Sequence, residues 1–369
     1  MKFTCNRHNL LECAAIVSRA VATRSSNVLL EGIHLELSER SLLLTGFDSE
    51  TAIRCALALD GGEEGKVVMP RDTFLDILRK LPGDEMAVEA DGDKVRITSE
   101  NADYVVIGML ADGYPALDFS GNQLTATLPQ GTLRSMIAQT VFSVSSSEAR
   151  PVHTGCKFCV ESTMIEVVGV DGYRLALRRE PYQGEEEPCS FVVPGRALLE
   201  MARTLTDSDT PVYIYAGEKA VLFTTENVTF LTRTLEGEFL NYRASIPAES
   251  AMRAIVNTKA FAECVERASL LISERQRSPV RIVFSDGEAQ ISCYTPIGKF
   301  DDRMPIEFKC SEPIEMGFNV RFLLDVMRHV GDSDVAFEMS NSSSPLVIRP
   351  KEGDHYVYLV LPVRLRTDA

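Results

Sequence analysis

The residues that could do chemistry are few and dispersed. Asp171 stands in Gly169-Val170-Asp171-Gly172-Tyr173-Arg174-Leu175-Ala176-Leu177, where Asp-Gly between two apolar runs reads as a hairpin turn. A carboxylate at such a turn could serve as a general base, yet no partner acid, nucleophile or phosphate loop accompanies it. Cys156-Lys157-Phe158-Cys159 has the spacing of a redox or zinc pair. It lies in a strand-like stretch, where positions i and i+3 point to opposite faces, and no second pair completes a four-ligand site. The five histidines, His8, His34, His153, His329 and His355, show no ligand spacing. Walker A, G-x-G-x-x-G, H-E-x-x-H and G-x-S-x-G patterns are all missing. The sequence thus argues for no catalytic residue, no metal and no cofactor, and a hydrolase or transferase built on Asp171 is the weaker reading.

The elements that would position these residues recur. Val67-Val68-Met69-Pro70 precedes Phe74-Leu75-Asp76-Ile77-Leu78; Phe191-Val192-Val193-Pro194 precedes Leu198-Leu199-Glu200-Met201-Ala202. Met316-Gly317-Phe318-Asn319 precedes Leu323-Leu324-Asp325-Val326-Met327. The leucines Leu75, Leu199 and Leu324 are 124 and 125 residues apart in a chain of 369. That period is the size of a compact domain and too long for a solenoid unit. Each copy reads as a strand, a helix, several strands, a second helix opened by Pro70, Pro194 or Asn319, and further strands. Pro129 reads as the first residue of the helix carrying Leu133, Met136 and Ile137, and Asn257-Thr258 as the cap of the helix carrying Phe261, Cys264 and Val265. The expected fold is α+β, in three similar domains at 1–121, 122–248 and 249–369, each with two helices packed on antiparallel sheet. The apolar run 356–361, stopped by Pro362, is expected to close a sheet or to expose a docking patch.

Charge divides unevenly. The net charge is −15, which at first argues against a nucleic-acid partner. The six windows reading as helices, 6–24, 70–80, 129–145, 194–206, 257–277 and 319–330, nevertheless each carry a positive excess. Together they hold +7, leaving −22 on the remainder. A surface lined by those helices would suit a polyanion while the rest repels it. The N-terminus lacks a basic region followed by an apolar run, so it does not read as a signal peptide, and no stretch is long and apolar enough to span a bilayer. Nine scattered cysteines, an odd number, suggest free thiols and a cytoplasmic location.

With these residues in view, the chain closely resembles the bacterial sliding clamps, the β subunits of DNA polymerase III. The resemblance spans nearly the whole length: the Met-Lys-Phe-Thr start, 150–177, 239–247, Gly317-Phe318-Asn319-Val320 and the closing Leu361-Pro362-Val363-Arg364-Leu365. It implies a non-catalytic, head-to-tail homodimeric ring that encircles double-stranded DNA without sequence specificity. Implied partners are the polymerase III catalytic subunit, the clamp-loader complex, and other clamp-binding polymerases and repair proteins, with no membrane. Arg24 matches a DNA-contacting position of the family; Arg79, Lys80, Arg134, Arg196, Arg203, Lys259 and Arg267 are inferred from their helices. A cleft for partner peptides, between the second and third domains, is implied at His153, Thr154, Val170, Gly172, Tyr173, Arg174, Leu175, Leu240, Asn319, Phe322, Pro345 and Leu346. It continues through Leu359, Val360, Leu361, Pro362, Val363 and Arg364, with Arg174, Arg364 and Asn319 as groups for peptide carbonyls or carboxylates. The dimer contacts implied are Tyr104 and Val106 against Leu270 and Leu271. The chain departs from the family pattern at Leu240 and Tyr173, at Gln276, and in a four-residue extension, 366–369. A peptide-binding scaffold that never encircles DNA is the remaining alternative.

Overall fold

The computed structural model describes residues 1–120, 123–184, 188–272 and 278–365. The expected boundary at Asn122, the departure at Gln276 and the extension 366–369 lie outside those residues. Seven helices are described: α1 (Arg7–Val17), α2 (Arg71–Lys80), α3 (Gln130–Ala138), α4 (Gly195–Ala202), α5 (Tyr242–Ser245), α6 (Thr258–Ser269) and α7 (Val320–His329). The expected pair per copy is α1 and α2, α3 and α4, α6 and α7. Asn6, Asn257 and Asn319 cap α1, α6 and α7, their side chains accepting from backbone N–H groups of the first turn. Each such cap stabilises its helix by about 1 kcal/mol. Pro129 is the last residue of a strand and α3 starts one residue later than its proline suggested.

Two compact units form, each larger than one period: Met1–Arg134 with Arg196–Thr234, and Ser135–Gly195 with Leu235–Ala369. The units cut the middle copy because hydrogen-bonded sheets run on from one copy into the next. In the first unit an eight-stranded sheet has the order Ala126–Pro129, Pro211–Ala216, Ala220–Thr224, Val228–Arg233, Thr51–Ala58, Ser41–Phe47, Gly32–Ser38, Gly65–Pro70. Its copy-to-copy seam is the antiparallel pairing Val228↔Cys55 through Thr232↔Thr51. In the second unit the order is Cys189–Pro194, Gly155–Glu161, Met164–Val170, Arg174–Pro181, Tyr356–Val360, Leu346–Pro350, Asp334–Met339, Met252–Asn257. Here the seam is Arg174↔Val360 through Arg178↔Tyr356.

Each unit carries one further sheet. The first has five strands, ending on Ala102–Ile107; the second has four, with Gly298–Pro305 at one edge. The expectation that the 356–361 run closes a sheet is corrected. Tyr356–Val360 is an inner strand, buried at every position because both faces are covered. Tyr356, Tyr358 and Val360 enter one core cluster with Phe261, Phe318 and Leu323, while Val357 and Leu359 enter another with Val168, Leu177 and Phe239. A strand buried on both faces reads as a continuous apolar run, so its sequence alone does not separate core from docking patch.

Candidate functional site

The segment 171–174 is a tight turn between strands Met164–Val170 and Arg174–Pro181. Asp171 Oδ1 accepts from the backbone N–H of Tyr173 (2.9 Å) and Arg174 (3.0 Å), and Gly172 takes φ +89°, the left-handed region that favours glycine. Asp171 is therefore a turn-former with both oxygens engaged, since Oδ2 also accepts from Arg174 Nε at 2.9 Å. The general-base idea loses its free carboxylate.

Arg174 is tied down on several sides. Its side chain is 10% exposed. Nη1 meets Asp325 of α7 at 2.5 Å, Nη2 donates to the Phe142 carbonyl at 2.6 Å, and the guanidinium lies 4.6 Å from the centre of the Phe322 ring. A guanidinium so engaged braces the turn against α7 and has little left for a peptide carboxylate.

Around that brace the chain assembles an apolar surface. Tyr173, 63% exposed, stacks on Phe322 with ring centres 6.3 Å apart. Leu361 N–H donates to the Tyr173 carbonyl (2.9 Å), which aligns the closing segment with the turn. Val363 N–H donates to the Gly317 carbonyl (2.8 Å), and a β-carbon at Gly317 would collide with Leu365 and the Val363 carbonyl. Leu361 and Val363, 36% and 39% exposed, flank half-buried Pro362, with Arg364 exposed beyond them. Asn319 is occupied as the α7 cap, and Pro345 is half-buried. Of the other residues expected in a cleft wall, Val170, Leu175 and Leu359 pack in one core cluster, Leu346 and Val360 in the other. They support the surface from beneath and present almost no side chain to it.

His153, Thr154 and Leu240 belong to a different neighbourhood. His153 is buried edge-on against the Phe239 ring at 5.4 Å, and the Thr154 hydroxyl donates to the Pro151 carbonyl. Exposed Leu240 lines a cavity of about 420 Å³ with Phe239, Tyr242, Arg243, Lys157 and Cys189. The 239–246 segment is fastened by Glu166, a buried carboxylate that accepts from Tyr242 Oη (2.5 Å), Arg243 Nη2 (2.7 Å) and Arg179 Nε (2.8 Å). Burial alone would push this carboxyl up; the hydrogen bonds from Tyr242, Arg243 and Arg179 outweigh it and hold it below its usual range. Sequence reading missed Glu166, and its only signal was a charge inside the apolar run Met164-Ile165-Glu166-Val167-Val168. Cys156 and Cys159 lie on opposite faces of their strand, Cys156 near Thr140 and Cys159 near the Tyr242 hydroxyl.

The expected DNA-facing cations are all exposed, in two electrostatic classes. Arg79, Arg203, Lys259 and Arg267 have carboxylate neighbours at Asp76, Glu200, Glu263 and Asp302. Arg24, Lys80, Arg134 and Arg196 form no ion pair within the described residues, and Arg24 lies in a bend beyond α1. Arg24, Arg79, Lys80, Arg134, Arg196 and Arg203 belong to the first unit, Lys259 and Arg267 to the second. Tyr104 and Val106 sit on the exposed edge strand Ala102–Ile107, beside exposed Val105 and Ile107. Leu270, just past α6, is 81% exposed; Leu271 is half-buried, and Gly298 lies against it. Exposed Ile297 extends that patch and was not singled out from the sequence.

Comparison with known proteins decides the kinship. The DNA polymerase III beta subunit family matches three times in order: its N-terminal domain over 1–118, its central domain over 127–241 and its C-terminal domain over 243–364. The chain belongs to this family. It is 31% identical to the beta sliding clamp of Bacillus subtilis over 376 residues, covering 99% of this chain and 100% of that one. The crystal structure of the Bacillus subtilis DNA polymerase sliding clamp matches with a TM-score of 0.95 at 30% identity, across 99% of this chain and 100% of the other. A putative DNA polymerase III beta subunit from Eubacterium rectale matches at 0.93 and 29% identity, with the same coverage. The fold is accordingly that of the clamp family: three domains of helices on antiparallel sheet. Among the described residues, no helix is long and apolar enough to cross a membrane, and no group of His, Cys, Asp and Glu side chains is arranged to hold a metal ion.

Proposed function

We propose that this chain is a DNA sliding clamp, a non-catalytic, cytoplasmic processivity factor whose two copies close head to tail around duplex DNA. The observation that carries the reading is a seam used twice and left open once. Strand Thr51–Ala58 pairs with Val228–Arg233, and its counterpart one period on, Arg174–Pro181, pairs with Tyr356–Val360. The third pair of counterparts is Gly298–Pro305 and Ala102–Ile107, and each stands at a sheet edge. In a homodimer, Ala102–Ile107 of one protomer pairs with Gly298–Pro305 of the partner subunit. Tyr104 and Val106 then pack against Leu270 and Leu271 of the partner subunit. Closure hides two edges that would otherwise invite aggregation.

Three domains per chain, at 1–121, 122–248 and 249–369, supply half the ring, with the basic helices facing the DNA. Diffuse phosphate contacts hold DNA of any sequence and let it slide, so they carry no base specificity. Retention is topological, which reconciles a net charge of −15 with a nucleic-acid partner. The surface at Tyr173, Phe322, Leu361, Pro362 and Val363 receives Leu and Phe anchors of short partner peptides, from the polymerase III catalytic subunit, the clamp loader and repair proteins. The test is retention on nicked circular DNA followed by linearisation. The protein is expected to stay on the circle and to leave once an end is cut; equal retention on both forms would contradict encirclement.

A further inference from the structure

The two buried thiols of Cys13 and Cys55 have no part in the reading above. Cys13 lies on α1 and Cys55 on strand Thr51–Ala58, which forms the seam of the first unit. Both are in the core, 5% and 0% exposed, and their sulfurs are 2.7 Å apart, with the Cys55 thiol donating to Cys13. That separation is well inside ordinary sulfur–sulfur contact, and closing it to the ~2.05 Å of a covalent bond asks for a movement of about 0.7 Å. The two positions are 42 residues apart in the chain and belong to two elements packed on each other.

We propose that Cys13 and Cys55 are a redox pair that forms a reversible disulfide, stapling α1 to the seam strand when the protein meets a peroxide. The Cys13 thiolate attacks one peroxide oxygen and the O–O bond breaks. This leaves a sulfenic acid on Cys13 and a hydroxide, which leaves as water after taking up the Cys13 proton. The Cys55 sulfur then attacks the sulfenic sulfur; the S–O bond breaks, and that hydroxide leaves as a second water with the Cys55 proton. Two thiols and one hydrogen peroxide give one disulfide and two waters, the sulfurs losing two electrons and the peroxide gaining them. The hydrogen bond from Cys55 lowers the Cys13 thiol from its ordinary value, against burial and the charge of Glu12, which favours Cys13 as the attacking group. A dithiol reverses the step by exchange. Because α1 also carries Arg7, which donates to the Leu78 and Gly83 carbonyls at the end of α2, the staple ties both helices of the first copy to one strand.

The test treats the full-length protein with equimolar hydrogen peroxide, blocks remaining thiols in denaturant, and maps unreduced peptides by mass. The expected result is a Cys13–Cys55 linked pair lighter by two hydrogens, removed by dithiothreitol, with a melting temperature raised on the order of 5–10 °C. Cys5 is a competitor, since the Cys13 charge adds to burial in raising its thiol, so Cys5→Ser should leave the link intact. Cys55→Ala should abolish both the link and the thermal shift. Cys13 and Cys55 both remaining blockable after peroxide, or Cys13 linking to Cys5, overturns the proposal. The mapping is made on the unmodified protein, so it stands even where a variant fails to fold.

Discussion

The two seams within the chain have nearly the same backbone and opposite surfaces. At the first, Asp48 Oδ1 accepts from the N–H groups of Glu50 and Thr51, and Ser49 takes φ +84°. At the second, Asp171 accepts from Tyr173 and Arg174, and Gly172 takes φ +89°. Arg233 N–H donates to the Glu50 carbonyl, as Leu361 N–H donates to that of Tyr173. The same turn and the same inter-copy bond therefore present Glu50 and Arg233 in one unit, Tyr173 and Leu361 in the other. A carboxylate and a guanidinium remain solvated, whereas a tyrosine and a leucine gain by being covered. The repeat supplies the frame, and substitutions at two or three positions of one copy turn a polar joint into the exposed apolar surface proposed above for docking. The third turn, 295–298, carries Ile297 beside the open edge Gly298–Pro305, where the proposed cover is a second protomer.

This contrast can be broken from several sides. The largest effect belongs to Arg174→Ala, which leaves Asp171 and Asp325 unpaired at a site where the arginine is nearly buried. A loss of about 3–5 kcal/mol in unfolding free energy is predicted, read by denaturant titration, with peptide binding lost as the turn loosens. Arg233→Ala, at the exposed and solvated seam, should cost under about 0.5 kcal/mol in the same assay. Next is Leu270→Asp, which buries an uncompensated charge in the proposed dimer contact. It should weaken dimerisation about 100-fold in sedimentation equilibrium while the monomer stays folded, since Leu270 is exposed within one chain. Replacing Tyr173 and Leu361 by the residues of the other seam, Tyr173→Glu with Leu361→Arg, removes two apolar anchors. Affinity for a Leu- and Phe-bearing peptide should fall 10- to 100-fold by fluorescence anisotropy, about 1.4–2.7 kcal/mol, with unfolding little changed.

The last effect concerns Glu166. Its carboxyl is held below the ordinary glutamate value of 4.5, so its stabilising contribution is present in full above that pH and is lost as pH falls through the lower folded value. The wild type should exceed Glu166→Gln by about 1–2 kcal/mol at pH 7, the difference shrinking on acidification below pH 4.5. A gap that stays constant with pH would mean that packing, and not charge, fastens the 239–246 segment.

Much of the frame was legible because it repeats. Leu75, Leu199 and Leu324 mark equivalent helices, and Asp171-Gly172 announced its turn. The matching turn at 48–51 was hidden, because Ser49 adopts the left-handed backbone without a glycine and only the Asp48 side chain enforces it. Continuity of the sheets across copies was also illegible, since neither strand of a seam differs in pattern from any other buried strand. Exposed and core apolar residues were not separable: Leu346, Leu359 and Val360 share the apolar character of the proposed docking surface and point into cores. The pairing of Arg174 with Asp325 was not legible, because a sequence does not show that a carboxylate 151 residues away meets this guanidinium.

The central claim is that one seam is used three times, twice within the chain and once between chains. Hydrogen exchange at the two edge strands tests it most directly, because only the outward-facing amides of an edge lack a partner in the isolated chain. At concentrations where the protein sediments as a dimer, the outward amides of Ala102–Ile107 and Gly298–Pro305 should be protected, and Leu270→Asp should release them together. Rapid exchange of those amides in a wild-type dimer would contradict the claim and move the dimer contact elsewhere on the chain.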